Sequence, residues 1–202
     1  ALHQVPEIAA QWPPPTRNLH RLAFDGGRVH LLLAVGQPLD VLPQLRAQVD
    51  EFLIDEFDAA ADLQRAPLRL AKGLARLAAP LMTNGGTMMA MSYHGANKVI
   101  PTYSVMGPVK AALEACCRYL AYELGPKKIR VHAISPGPLK TRAAGGLKDF
   151  DLMLNAAAKR APLGELVDIM DVGFTCAYLA TPYARRLSGE TLFVDGGVNI
   201  VA

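Results

Sequence analysis

Tyr103 and Lys110 lie seven positions apart in the chain. On an α-helix, seven residues make almost two turns, so both side chains share one face. Helical side chains lean toward the N-terminus, which tilts Lys110 back toward Tyr103. An ammonium beside a phenol favours the phenolate and draws the tyrosine pKa down from about 10. That suits a proton donor or a stabiliser of a developing oxyanion. The same spacing also describes a surface helix with an unrelated Tyr and Lys, so the surroundings decide. Tyr93 stands ten residues before Tyr103, where a strand is due to end, and Ser135-Pro136-Gly137-Pro138 closes the next strand. Ligands of open α/β sheets bind at the carboxyl ends of strands.

The elements around these residues alternate. Gly85-Gly86 leads into the apolar run Thr87–Tyr93, a strand, followed by a loop with Gly95 and Pro101. Val105–Leu124 reads as a helix, with small or apolar residues at Ala111, Ala112, Ala115, Cys116, Tyr119 and Leu120, and Gly125-Pro126 ends it. Pro108 falls near its first turn, where it threatens one backbone bond. Ile129–Ile134 is a second strand. Helical stretches follow at Asp149–Lys159 and Val167–Ala180, then a last strand at Thr191–Val194, stopped by Asp195-Gly196-Gly197. This alternation is the signature of a parallel α/β sheet.

The first 80 residues are less regular. Glu7–Trp12 suits a helical turn, broken by Pro13-Pro14-Pro15. Leu19–Phe24 and Arg28–Val35 flank Asp25-Gly26-Gly27 and suit a hairpin. Alternatively Val29–Val35 is a lone sheet strand, with Leu33-Ala34-Val35-Gly36 as its cofactor-side end. Leu45–Leu53 and Phe57–Ala79 read as helical, with a kink near Pro67.

The 202 residues suit one domain with one sizeable core, and 51% hydrophobic with 19% charged residues excludes a disordered chain. No apolar run reaches the ~18 residues of a membrane span, and no basic stretch leading into an apolar one marks a secretory signal. A net charge of +3 is too mild to suggest nucleic acid. Cys116, Cys117 and Cys176 show no metal or disulfide spacing and read as reduced, buried, cytoplasmic thiols.

Four stretches together are more specific: Tyr93-x9-Tyr103-x6-Lys110; Ile129–Pro138; Lys148-Asp149-Phe150; and Val194-Asp195-Gly196-Gly197. They resemble the bacterial NADH-type enoyl-acyl-carrier-protein reductases of the short-chain dehydrogenase/reductase superfamily. The likeness covers about residues 84–202 and extends more weakly back to about 57. It implies a three-layer Rossmann-like parallel sheet flanked by helices. The chain would be a single domain, with an atypical segment 1–56 and a catalytic half 57–202. It also implies site roles. Tyr103 would bond the thioester carbonyl and stabilise an enolate, Lys110 would hold the nicotinamide ribose, and Tyr93 would be the outer, substrate-facing tyrosine. Gly137, Leu139 and Thr141 would line the cofactor, Leu139 through its backbone and Thr141 at the phosphate. A segment at about 143–160 would cover the acyl chain, with Met153 and Leu154 facing it. Ketone-reducing relatives usually carry a serine thirteen residues before the active tyrosine. Ala90 stands there, which favours C=C reduction. The resemblance further implies NADH, or NADPH, as cofactor and an acyl-carrier-protein or CoA thioester as substrate. It implies a homo-oligomer (dimer or tetramer), in which the Val105–Leu124 helix and the one before it form the interface, or pairing with a complete reductase.

The chain departs from this pattern in having no G-x-G-x-x-G turn. Such glycines let backbone N–H groups reach the pyrophosphate. A second reading is therefore a catalytically weak or inactive subunit that pairs with a complete reductase or binds an acyl carrier. Arg65, Arg69, Lys72 and Arg76 recur at helical spacing, either as a solvated face or as a stripe for an acidic carrier. His30 and His132 read as core or sheet residues, while His94 could line the pocket. Met88, Met89 and Met91 read as core packing.

Overall fold

The computed structural model describes residues 10, 18–24, 29–35, 51–54, 73, 75–101, 103–139 and 150–201. The chain divides into two compact units, Ala1–Ala47 and Gln48–Ala202. The division falls inside the segment that the sequence sets apart as atypical.

In the first unit, β1 (Asn18–Phe24) and β2 (Val29–Val35) pair antiparallel, from Asn18 opposite Val35 to Phe24 opposite Val29. This is the hairpin arrangement. Leu33, Ala34 and Val35 therefore belong to a two-stranded sheet and are not the end of a parallel strand. Glu7–Ala9, Gln11–Pro15 and Asp25–Gly27 lie outside the described residues.

Among the described residues, the second unit holds a four-stranded parallel sheet in the order β3 (Glu51–Ile54), β4 (Gly86–Met91), β5 (Ile129–Pro136), β6 (Thr191–Val194). Helix α1 (Met106–Leu124) joins β4 to β5; α2 (Phe150–Arg160) and α3 (Ile169–Ala180) lie between β5 and β6. The helix read at Leu45–Leu53 is corrected: Glu51–Leu53 belongs to β3, paired with Thr87–Met89. A short apolar run fits a strand and a helix equally by periodicity, and pairing with β4 settles it. Of the Phe57–Ala79 helix, residues 75–78 are helical, and the stretch carrying Pro67, Arg65, Arg69 and Lys72 lies outside the described residues.

Strand side chains alternate between faces, and the two faces have separate cores. Met88, Ala90, Val131 and Ala133 pack with Leu113, Cys116, Cys117 and Leu120 of α1. Met89 and Ile134 pack with Val172 and Leu179 of α3. Helices thus cover both faces, giving three layers. The α1 contacts fall at the i, i+3, i+4, i+7 spacing of an amphipathic helix. Burying Leu113 and Leu120 contributes about 1.5–3 kcal/mol each. Tyr119 and Ala111, also small or apolar on this helix, are exposed. Arg130 Nη1 ties β5 to the α3 layer by donating to the carbonyls of Leu179 (2.6 Å) and Ala184 (3.1 Å).

Two helix starts explain themselves. Asp168 caps α3: its Oδ1 accepts from the N–H of Met170 and of Asp171, and the Asp168 N–H donates back to Asp171 Oδ2. This box contributes ~1 kcal/mol and begins the helix two residues later than the sequence suggested. Pro108 is the third residue of α1. The first-turn N–H groups have no partner inside the helix, so it removes no bond there. Among the described residues, no helix is long and apolar enough to cross a membrane.

Candidate active site

Tyr103 sits at the entrance of α1 rather than on it. Its N–H donates to Ile100 O (3.1 Å), and its carbonyl accepts from Gly107 N–H (2.9 Å), so the backbone is already winding into the first turn. Lys110 lies one turn further along α1. It is buried, and its Nζ donates to Met91 O (2.8 Å), the last residue of β4. Tyr93, two residues beyond that carbonyl, meets Tyr103 edge to face, with ring centroids 5.2 Å apart. The structure therefore brings Tyr93, Tyr103 and Lys110 together at the carboxyl end of β4, where open α/β sheets place ligands.

Two glycines allow this closeness. A Cβ on Gly95 would lie 2.7 Å from Tyr103 Cδ1, and a Cβ on Gly107 would lie 2.9 Å from Gly95 O. The 94–96 turn therefore presses on both the Tyr103 ring and the start of α1. In the sequence alone, Gly95 is a loop residue like any other.

A second group was missed entirely. Glu114, one turn after Lys110 on α1, is buried and accepts from Ser92 Oγ (2.5 Å) and Asn97 Nδ2 (3.5 Å). Ser92 N–H also donates to Ile134 O (2.7 Å). The available signal was a glutamate inside the apolar run Leu113-Glu114-Ala115-Cys116, which demands a buried partner.

Burial raises the Tyr93 pKa and keeps its phenol neutral. Burial also lowers the His94 pKa, opposed by the Asp195 carboxylate and reinforced by Lys98 and Arg160. Asp195 ends β6 in a tight turn: its carboxylate accepts from Gly197 N–H, Asn199 N–H and Asn199 Nδ2. Gly196 and Gly197 take positive φ (64° and 88°) against Ala161 and Pro162, which fixes the chain just after α2.

The remaining residues are less concentrated. Gly137 follows β5, but its N–H donates to Val194 O (2.8 Å), and a Cβ there would meet Val167 and Asp195. Its lack of a side chain serves close packing of the β5 and β6 ends. Leu139 is partly buried against the α3-side core, and Leu154 of α2 is buried. Met153 lies on α2, and Thr141 lies outside the described residues, as do Ala143–Asp149. Ala90 is buried in the α1-side core.

The NADH-type enoyl-acyl-carrier-protein reductase of Rickettsia prowazekii is 46% identical over 128 residues, 63% of this chain and 49% of that protein. The chain spans about half the length of the curated relatives it matches. Among solved structures, the Aquifex aeolicus enoyl-acyl-carrier-protein reductase (NADH) superposes with a TM-score of 0.69 at 34% identity, covering 77% of this chain and 67% of that one. The Anaplasma phagocytophilum enzyme, solved in complex with NAD, gives 0.66 at 36% identity, covering 77% and 63%. These likenesses show a Rossmann-like fold. A family model described as enoyl-(acyl carrier protein) reductase matches residues 41–199, and the chain belongs to that family.

Proposed function

We propose that this chain carries the reducing chemistry of an enoyl-acyl-carrier-protein reductase, acting on a trans-2-enoyl thioester in fatty-acid-type biosynthesis in the cytoplasm. The observation that carries the reading is the edge-to-face Tyr93–Tyr103 pair at the carboxyl end of β4, where Lys110 donates to Met91 O. The cofactor, NADH by family likeness with NADPH second, supplies a hydride to the β-carbon of the enoyl thioester. The C=C electron pair then shifts to form a double bond between the α-carbon and the carbonyl carbon, the carbonyl π pair moves onto oxygen as an enolate, and a proton taken from water at the α-carbon restores the carbonyl and completes the saturated product.

The chain's own groups serve that charge movement. The Tyr103 hydroxyl donates to the thioester oxygen and stabilises the enolate. Lys110 adds positive charge and holds the nicotinamide ribose. Tyr93, kept neutral by burial, borders the acyl carbonyl. Leu139, through its backbone, and Gly137 border the nicotinamide, and Met153 and Leu154 border the acyl chain. The amine and the adjoining strand ends fit the nicotinamide end of the cofactor. Thr141 serves the phosphate end, as the family likeness implies. The substrate arrives on an acyl carrier protein or CoA, and the active assembly is a homo-oligomer or a pair with a complete reductase.

The test is titration of NADH and NADPH into the purified protein by calorimetry, followed by turnover of a crotonyl thioester. Saturable binding and turnover that Tyr103→Phe abolishes are expected. Absent binding together with absent turnover overturns the reading in favour of a non-catalytic subunit.

A further inference from the structure

We propose that Glu114, acting through Ser92, is a positioning residue that sets the Tyr93–Tyr103–Lys110 geometry. The proposal rests on the reductase reading for its catalytic meaning, but not for its structural test. Ser92 lies between the two groups that matter. Its neighbour Met91 offers the carbonyl that receives Lys110 Nζ, and its other neighbour Tyr93 offers the ring against Tyr103. One hydrogen bond therefore controls both contacts: Ser92 Oγ donates to Glu114 Oε1 at 2.5 Å. A hydroxyl donating to a carboxyl oxygen at this distance is a direct hydrogen bond. Both residues are buried, each 5% exposed, so the bond is little weakened by water.

The wider arrangement fits a clamp. Glu114 and Lys110 are four residues apart on α1, hence on one face of the helix. The helix thus grips the end of β4 at two points, Lys110 on Met91 O and Glu114 on Ser92 Oγ. Asn97 Nδ2 reaches Glu114 Oε2 at 3.5 Å, which also ties in the loop after Tyr93. Ser92 N–H on Ile134 O keeps the segment registered on β5. Without the Glu114 grip, the Ser92 N–H on Ile134 O still holds the strand end, but the Ser92 side chain loses its tether and Tyr93 just beyond it is held less firmly, with a smaller effect on the Met91 carbonyl.

The experiment compares Ser92→Ala, Glu114→Ala and Glu114→Gln in the full chain, with thermal unfolding as the check on folding. Nuclear Overhauser cross-peaks between the Tyr93 and Tyr103 rings read the geometry directly. They are expected to weaken in Ser92→Ala and Glu114→Ala and to persist in Glu114→Gln, which keeps an acceptor oxygen in place. In turnover assays, Ser92→Ala should lower kcat about tenfold while KM for the thioester changes by about twofold or less. Wild-type cross-peak intensity in Ser92→Ala overturns the proposal, whether or not the protein turns over. Absent wild-type turnover and cofactor binding would instead sink the reductase reading and leave the ring measurement decisive. Should Ser92→Ala fail to fold, Ser92→Cys keeps a weaker donor of similar size. Its cross-peaks must then fall between those of wild type and Glu114→Ala; unchanged intensity overturns the proposal.

Discussion

The rings of Tyr93 and Tyr103 meet edge to face, with planes at 72° and centroids 5.2 Å apart. Such a contact contributes about 0.5–1.5 kcal/mol beyond buried area. It makes Tyr93 a support for the Tyr103 ring.

The phenol oxygen and the ring therefore separate by mutation. Tyr103→Phe keeps the ring contact and removes the donor. Turnover of a crotonyl thioester should fall by about a hundredfold or more, the scale of losing one oxyanion donor. The thermal midpoint should stay within a few degrees of wild type. Activity that survives Tyr103→Phe would remove Tyr103 from the chemistry.

Gly95→Ala probes the floor under that ring. The added methyl would sit 2.7 Å from Tyr103 Cδ1 and 3.0 Å from Cε1, so the ring must move. Overpacking of this kind costs about 1–3 kcal/mol. The expected result is a lower urea midpoint together with loss of the Tyr93–Tyr103 ring cross-peaks. Unchanged cross-peaks would show that the 94–96 turn yields instead of the ring.

Much of this arrangement could be read from the sequence because its signals are local. The β4, β5 and β6 strands and helices α1 and α3 show in short apolar runs and their stop residues, such as Gly125-Pro126 and Asp195-Gly196-Gly197. Tyr103 and Lys110 are close in sequence, and Tyr103 enters the helix that carries Lys110, through the Gly107 N–H on its carbonyl. What escaped depends on pairing across distance. Glu51–Ile54 is a strand only because β4 lies beside it. Ser92 and Glu114 are 22 residues apart, and nothing local in either residue names the other. Gly95 passes for an ordinary loop glycine until the Tyr103 ring is placed over it.

The thiols should differ in reactivity. Burial pushes the Cys117 pKa up to about 12, helped by Cys116 and Glu114 and opposed by Arg118. The thiolate is the nucleophile, so Cys117 is inert near neutral pH. Cys116 is also buried, whereas Cys176 is only partly buried. Brief iodoacetamide treatment at pH 8, read by peptide mass spectrometry, should label Cys176 first. In urea all three should react alike. Early labelling of Cys117 in the native protein would mean that the α1-side core opens readily.

His132 should give the fold a slope with pH. It is fully buried on β5, and neither ring nitrogen makes a hydrogen bond of regular geometry, although the Leu187 backbone lies alongside. Burial lowers its pKa below the ordinary 6.5; the nearby Arg130 charge adds to this, while Leu187 and Glu190 oppose it. Below about pH 6.5 the unfolded chain takes up a proton that the folded chain refuses. Stability is therefore fully present above pH 6.5 and falls as pH drops toward the folded pKa. One such group gives a slope of at most about 1.4 kcal/mol per pH unit. His94 acts with the same sign, since burial lowers its pKa too. The difference between wild type and His132→Asn isolates the share of His132. Urea unfolding between pH 7 and 5.5 should show wild type losing stability faster than the variant. Equal slopes in the two proteins would mean that His132 is already protonated in the fold or reaches water on a path that the packing around β5 conceals.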